Sequence, residues 1–440
     1  MTGVDVIVAG GGFSGSMLGL NLARAGVRAV VCDAPDAQGR GRAYSTPDDA
    51  HLLNVPAGGM SAFPDAPGNF VDWVRAQGIA CEPTDFLPRR VYGMYLRALC
   101  SAARIPQSGR LKDVSRGATG WRAVTAEGEA IAAPVLVLAM GHRLPPCPGM
   151  LAGLAGVAAD PYACDAFDGI PADAAVAVMG TGLTAADSIL TLARRGHRGA
   201  IVSFSRSGRW PIEHRLGLAP HRLTRAAPQP TARAFVAWIR HEAGLARDAG
   251  ADPRAVIDAL RPLTPGLWGS LPWPERARLY RHARSLWDTT RHRMPPSVSA
   301  AIDAMMTTGQ LVSVAARLVD AAAGEGGLTL TLRARSGPIR HLRGIARLIL
   351  ATGTETAPRR GGDGLLDRLW ADGHVVPDPL RLGVMTDADG RCLSADGAPV
   401  PGLHAMGPLR RGTLWENTAV PELRVEAARL AQVLAQGIRR

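Results

Sequence analysis

Apolar positions along the chain follow one course and then repeat it. The first opens with Val4, Val6, Ile7, Val8 and Ala9, a nearly unbroken β-branched run of the kind found in parallel strands covered on both faces. A helical spacing follows through Leu18, Leu22 and Ala25 and stops at Gly26, and residues 28–32 read as the next strand. Residues 69–75 and 91–103 read as helices, the second with Tyr92, Tyr95, Leu96 and Leu99 on one face. Residues 109–131 alternate between glycine breaks, as a small β-meander does, and lead into a buried strand at 134–138 and a small-residue turn at 139–142. Pro145, Pro146 and Pro148 then mark a linker. The second course has a strand at 175–179, a helix at 186–194, a strand at 200–204, a meander at 310–335 and a buried strand at 346–350 that ends in another glycine turn.

What lies between strand and helix in each course carries chemistry. Gly10-Gly11-Gly12-Phe13-Ser14-Gly15 fits G-x-G-x-x-G, and Asp33 ends the following strand. Gly10 allows the tight turn, Gly12 lets a pyrophosphate approach the backbone, and Gly15 lets helix and strand pack closely. The helix start, with Phe13 and Ser14, then faces the phosphates, while Asp33 accepts from a ribose hydroxyl. Gly180-Thr181-Gly182-Leu183-Thr184-Ala185 repeats the pattern with alanine third. Here the acid is replaced by Ser205 and Arg206. A carboxylate would repel a 2′-phosphate, whereas Arg206 pairs with one, so the second turn is expected to take NADPH rather than NADH.

The predicted fold class is therefore α/β, with two Rossmann-like three-layer dinucleotide-binding domains, β-meanders and a helical insertion. The expected division is 1–150 plus 340–440 for the first domain, 165–210 plus 305–339 for the second, and 211–304 for the insertion. The insertion is rich in tryptophan, arginine and histidine, with helices expected at 231–246, 252–260 and 274–294. His282, Asp288 and His292 are candidates to line a substrate cavity there, and the arginines and histidines point to an anionic or zwitterionic small molecule. The chain closes with a glycine turn at 402–412 and a last helix at 423–434.

Charge and cysteine use narrow the reading. The net charge of +12 is carried by arginine, with Lys112 the only lysine, and it is spread among acids rather than gathered in a tail or stripe. Nucleic acid is therefore not an expected partner. No run reaches the length of a membrane span and the first strand begins close to Met1, so a cytoplasmic protein is expected. The six cysteines show no C-x-x-C and no metal-ligand spacing, which argues against a redox disulfide and a metal site.

Blocks of the chain resemble the two-dinucleotide-binding flavoproteins, and most closely the FAD/NAD(P)-binding (NAD-binding-9-like) family. They are residues 10–15, 39–45, 51–65, 180–187, 205–214, 281–296 and 407–424, so the likeness covers nearly the whole chain. Their order, with a helical insertion in the NADPH unit, is also similar to the class B flavin monooxygenases that hydroxylate amines. The signature of the lactone-forming branch of class B is absent. The resemblance implies FAD on the first turn and NADPH on the second, with the glycine turn of Gly407, Pro408 and Gly412 and the last helix, which Thr418 leads into, binding the flavin from below; Arg42 and Met60, in the long glycine-rich loop after Asp33, are expected neighbours of the flavin and its phosphates. Asn54, Ser61, His214 and His292 are the candidate catalytic residues. The implied activity is an FAD-dependent, NADPH-using oxidoreductase, monooxygenase-like, that hydroxylates a small molecule through reduced flavin and O₂. An NAD(P)H:acceptor reductase without oxygen insertion and a non-catalytic flavin-binding protein are the alternatives.

Overall fold

The computed structural model describes residues 3–334, 337–362 and 364–439; Arg335, the end of the second expected meander, lies outside them. In chain order the first unit holds β1 (Val6–Ala9), α1 (Phe13–Arg24), β2 (Ala29–Cys32), α2 (Asn69–Ala76), α3 (Arg89–Ala102), β3 (Gln107–Ser108), the meander β4 (Leu111–Gly117), β5 (Gly120–Thr125) and β6 (Ala130–Ala133), and β7 (Val135–Leu138). A short β8 (Val157–Ala158) precedes β9 (Ala175–Met179), α4 (Leu183–Arg194) and β10 (Ile201–Ser205). Then come α5 (Ala232–Asp248), α6 (Arg254–Leu260), α7 (Thr264–Ser270), α8 (Trp273–Arg291) and α9 (Pro296–Thr307), followed by β11 (Leu311–Gly324), β12 (Gly327–Ala334) and β13 (Ile339–Leu350). The closing elements are α10 (Leu365–Ala371), β14 (Arg391–Leu393), β15 (Pro399–Ala405), α11 (Arg411–Leu414) and α12 (Val420–Ile438).

The strands form two six-stranded sheets, β14-β15-β7-β1-β2-β3 and β12-β11-β10-β9-β13-β8, and a separate three-stranded sheet, β4-β5-β6. β1 runs parallel between β2 and β7, and β9 runs parallel between β10 and β13. Both central strands are sealed from water: Val6, Ile7 and Val8 are fully buried, as are Val176, Ala177 and Val178. Burial on both faces explains why each reads as continuous apolar sequence rather than alternation. In the first unit α1 and α12 pack together, with Met17, Leu18, Leu423 and Leu430 in one apolar cluster.

Two expected boundaries are corrected by the pairing. The division at 339/340 falls inside β13, which pairs with β9, β12 and β8, so residues 340–350 belong to the second sheet. In the first unit the equivalent chain is cut into β6 and β7 at Pro134, which has no N–H to give a ladder. β13 instead stays continuous across a register shift between Ile345 and Arg347. The helical insertion also ends earlier than 304: Val298 and Ile302 of α9 share a core with Ile189, Leu192 and Leu311, so α9 covers the second sheet.

The chain crosses between the units beside itself. Arg143 and Glu355, one on each crossing, exchange backbone hydrogen bonds of 2.8 and 2.9 Å. Arg143 also pairs with Asp367 at 3.0 Å.

Candidate functional site: two glycine turns and the last helix

Each central strand ends in a turn that only glycine satisfies. Gly10 has φ +111°, and a Cβ there would lie 2.5 Å from the Ala139 carbonyl oxygen. Gly180 has φ +144°, and its Cβ would lie 2.2 Å from the Ala351 oxygen. Ala139 and Ala351 follow the neighbouring strands β7 and β13, so the two turns are equivalent in structure as well as in sequence. At the third position, a Cβ on Gly15 would fall 1.9 Å from the Gly10 oxygen, whereas Ala185 is accommodated.

Both helices that follow begin on a glycine with no side-chain cap, Gly12 for α1 and Gly182 for α4. Nothing lies within 4 Å of where a Gly182 Cβ would be, and a Gly12 Cβ would meet only Gly41, 3.4 Å away at its nearest atom. An uncapped helix start, with clear space before it and unsatisfied N–H groups, accepts an anion. The residues present therefore fit a dinucleotide pyrophosphate at each turn. Phe13 and Ser14 are buried, Phe13 stacking at 6.3 Å on Tyr92, so they offer backbone rather than side chains.

Asp33 holds the first loop in shape: its carboxylate accepts from the Gly11 N–H at 2.8 Å and from the Ala34 N–H at 2.8 Å. In the second unit the Ser205 hydroxyl lies 2.8 Å from Thr181 Oγ1 and accepts from the Gly208 N–H at 3.0 Å. This turn presents Arg206, exposed and without a hydrogen bond or ion pair among the described residues. Leu183 and Thr184 are half-buried in the first turn of α4.

The C-terminal block closes on the first turn. A Cβ on Gly407 would lie 2.7 Å from Ser14 Oγ. The Gly407 N–H donates to Glu426 at 2.8 Å, and Asn417 donates to the Gly407 carbonyl at 2.9 Å and to Glu426 at 2.9 Å. Asn417 is thus a fastening that sequence reasoning passed over; its position ten residues after a glycine turn gave no periodic signal. Pro408 is buried in the short helical turn Gly407–Arg410, and α12 starts uncapped at Ala419, with half-buried Thr418 before it.

Several expected site residues have other duties. Ser61 is fully buried; its hydroxyl donates to the Phe63 and Ala66 carbonyls and accepts from the Phe63 N–H, so it fixes a turn and is not placed for catalysis. Met60 is 2 % exposed and packs in the first unit's core. Arg42 is ion-paired with Asp160. Gly412 faces Asp378, which a Cβ would strike, and its carbonyl accepts from Trp268 at 2.8 Å. Asn54 is half-buried with no hydrogen-bond partner among the described residues.

His292 and His214 are far apart in sequence, yet their segments run side by side: the His214 N–H donates to the Met294 carbonyl at 2.7 Å and the Met294 N–H to the Ile212 carbonyl at 2.9 Å. His292 ends α8 beside Glu416 and Arg411 of the C-terminal block; burial lowers its pKa, against the pull of Glu416. His214 packs edge-on to Phe86 at 5.2 Å, and burial, aided by Arg293, lowers its pKa. His142, not singled out by sequence, stands where the first crossing leaves β7, with Nδ1 3.0 Å from Thr354 Oγ1 of the second crossing. Burial and the nearby Arg411 push its pKa down to about 4. Among the described residues no group of three or more His, Cys, Asp or Glu side chains is arranged to hold a metal, and no helix is long and apolar enough to cross a membrane.

Residues 6–143 match the model of an FAD-NAD(P)-binding family. This stretch contains the first glycine turn, β1 to β7 and His142. No curated protein matches the chain by sequence. Among solved structures, L-lysine 6-monooxygenase from Pseudomonas syringae superposes with a TM-score of 0.71 at 16% identity, covering 99% of this chain and 100% of that one. Ornithine N-hydroxylase from Kutzneria sp. 744, with FADred, NADP+ and L-orn, gives 0.67 at 17%, covering 99% of each. Bacillithiol disulfide reductase from Bacillus cereus gives 0.57 at 13%, also covering 99% of each. At these identities the likeness is one of fold, and it extends over both sheets and the insertion.

Proposed function

We propose that this chain is an FAD-dependent, NADPH-using monooxygenase that hydroxylates a small molecule. One observation carries the reading: two structurally equivalent glycine turns, each before an uncapped helix, in a fold shared along its full length with lysine and ornithine hydroxylating enzymes. FAD, when bound, accepts hydride from NADPH and activates O₂.

The chain's own residues supply binding and exclusion. The α1 N-terminus binds the FAD pyrophosphate, and Asp33, held by the Gly11 N–H, accepts from the ribose beside it. The α4 N-terminus binds the NADPH pyrophosphate, and the unpartnered Arg206 takes the 2′-phosphate. Gly407 and the start of α12 cover the flavin end of the first site, where a helix start favours negative charge. Asn54 offers an unengaged amide from the neighbouring loop. His142, with its pKa near 4, is neutral at physiological pH and adds no cation at the crossing. A stopped-flow trace of the FAD-loaded protein tests the reading: NADPH bleaches the flavin, and reoxidation in air yields hydroxylated product. If bleaching occurs and all the oxygen leaves as peroxide, an NAD(P)H:acceptor reductase replaces it.

The substrate is a small molecule. The anionic or zwitterionic character expected from the insertion's arginines is weakened by their pairing. Arg291 meets Glu416 at 2.9 Å, Arg261 is paired with Glu422, Arg284 meets Asp288 at 3.0 Å, and Arg276 donates to backbone carbonyls.

A further inference from the structure

Three strands of the first sheet end level with one another. Ala9 of β1 and Ala405 of β15 both pair with Leu138 of β7, and all three strands are parallel. The first glycine turn, residues 139–142 and residues 406–411 therefore leave by the same carboxyl edge, outside which open parallel sheets bind their ligands. Arg411 stands at this edge. Burial leads the lowering of the pKa at both His142, on the first crossing, and His292, at the end of α8, and the Arg411 charge adds to it at each. One guanidinium is thus felt by the first unit and by the insertion.

The arginines around it have their acids. Arg410 meets Glu426 at 2.8 Å, Arg291 meets Glu416 at 2.9 Å, and Arg261 is paired with Glu422. Those acids hold further donors, Trp287 on Glu416 at 2.8 Å and Asn417 on Glu426 at 2.9 Å. Arg411 has no hydrogen bond and no ion pair among the described residues, although it is half-buried, and its nitrogens keep accessible surface. It is held instead by an aromatic face: its guanidinium carbon lies 5.3 Å from the centre of the Trp415 ring. A cation–π contact uses none of the guanidinium's N–H donors, so the whole fork stays free for a ligand.

The ring that carries Arg411 is itself held under strain. Trp415 has φ +62° and ψ −65°, and the Glu416 N–H closes a tight turn on the Leu414 carbonyl at 2.8 Å. This γ-turn is rare and strained for a bulky residue, and strain of this kind gathers at ligand clamps. The Trp415 N–H in turn donates to the Arg411 carbonyl at 2.8 Å, which closes the turn on which both side chains stand. Two residues further on, Asn417 donates to the Gly407 carbonyl at 2.9 Å, and Gly407 packs on Ser14 of the first glycine turn. The strained turn is therefore anchored to the proposed flavin site.

We propose that Arg411 receives a carboxylate of the substrate on paired N–H donors, and that the substrate is a net anion rather than a zwitterion. A free guanidinium fork matches a planar carboxylate. An ammonium beside it would meet the Arg411 charge and find Glu416, Glu422 and Glu426 already engaged. That the anion is a substrate rests on the oxidoreductase reading; its binding does not. Phenylpropanoate, phenylpropanamide and phenylalanine share one carbon frame and are an anion, a neutral amide and a zwitterion. In calorimetric titration of the FAD-loaded protein, phenylpropanoate is expected to bind at least tenfold more tightly than either of the others. Arg411→Ala should bring it down to the affinity of the amide, and Arg411→Lys, which keeps the charge but not the fork, should restore part of the difference. Equal affinities for the three probes, unaltered binding to Arg411→Ala, or no phenylpropanoate binding at all would overturn the assignment. A lowered flavin midpoint potential in Arg411→Ala, with phenylpropanoate affinity unaltered, would place the guanidinium on the flavin instead. Should Arg411→Ala not fold, the three probes on wild type and Arg411→Lys decide it. Flavin bleaching by NADPH is read separately on wild type, so a failure of the monooxygenase reading is told apart from a failure of the anion site.

Discussion

Asp187 of α4 and Arg89 of α3 meet at 2.8 Å, joining the helix of the second glycine turn to the first unit. Asp187 also accepts from the Tyr162 hydroxyl at 2.6 Å, and Arg89 donates to the same hydroxyl at 3.1 Å. Burial opposes the Arg89 charge, but Asp187 and Tyr162 outweigh it and raise its pKa. Around them His51 bridges Thr46 and Thr191, and Thr191 donates to Asp48 at 2.8 Å. Removing one partner leaves the other charge buried, so Asp187→Ala should destabilise the protein by about 3–5 kcal/mol in denaturant titration. A change within 1 kcal/mol would show that the two units do not rely on this pair.

The two glycine turns should fail separately. Gly15→Ala drives a Cβ onto the Gly10 carbonyl and is expected to yield protein that purifies without flavin colour. Gly180→Ala is strained by its φ and by the Ala351 carbonyl. That variant should stay yellow while the rate of bleaching by NADPH falls at least tenfold. Flavin absorbance of the two purified proteins checks both statements at once.

Arg206 is exposed and unpartnered, so Arg206→Ala should alter stability by no more than about 0.5 kcal/mol. Its effect should appear in cofactor choice: KM for NADPH rises about tenfold, as loss of one charge-assisted pair implies, and KM for NADH holds. An equal rise for both cofactors would place the 2′-phosphate elsewhere.

Acid should weaken the fold in two windows. His142 and His404 both have pKa values pushed down to about 4, burial leading in each case. A depressed histidine pKa means the unfolded chain binds more protons, so stability is full above about 6.5 and falls as pH drops toward 4. Glu242 is fully buried, which opposes its charge. Hydrogen bonds from His221, Thr224 and the Arg225 N–H nevertheless hold its pKa at about 2. Its stabilisation is complete above about 4.5 and is lost toward 2. Thermal melts from pH 7 to 3 should fall in both windows, and Glu242→Gln should flatten only the lower one.

The succession of strands and helices along the chain, both glycine turns and the helical insertion were legible because they rest on local rules: buried strands read as apolar runs, and tight turns demand glycine. The end of the second unit was not, because β13 and β7 look alike as sequence and only pairing shows that β13 stays with β9. Side-chain duties were read less well. Ser61 and Met60 lie in a glycine-rich loop that suggested ligand contact, yet tertiary packing turned both inward. Trp415 gave no warning of its positive φ, since nothing in the residues around it calls for glycine there.

β15 lies beside β7, and α12 packs on α1, so the first unit is finished only by residues near the end of the chain. Every strand of the second sheet has been made by Leu350. On the ribosome the usual order, N-terminal domain first, is therefore reversed. The second unit gains its full sheet while the first still waits for its last strands, and a truncation after β13 would leave the first sheet without β14 and β15 and α1 without α12.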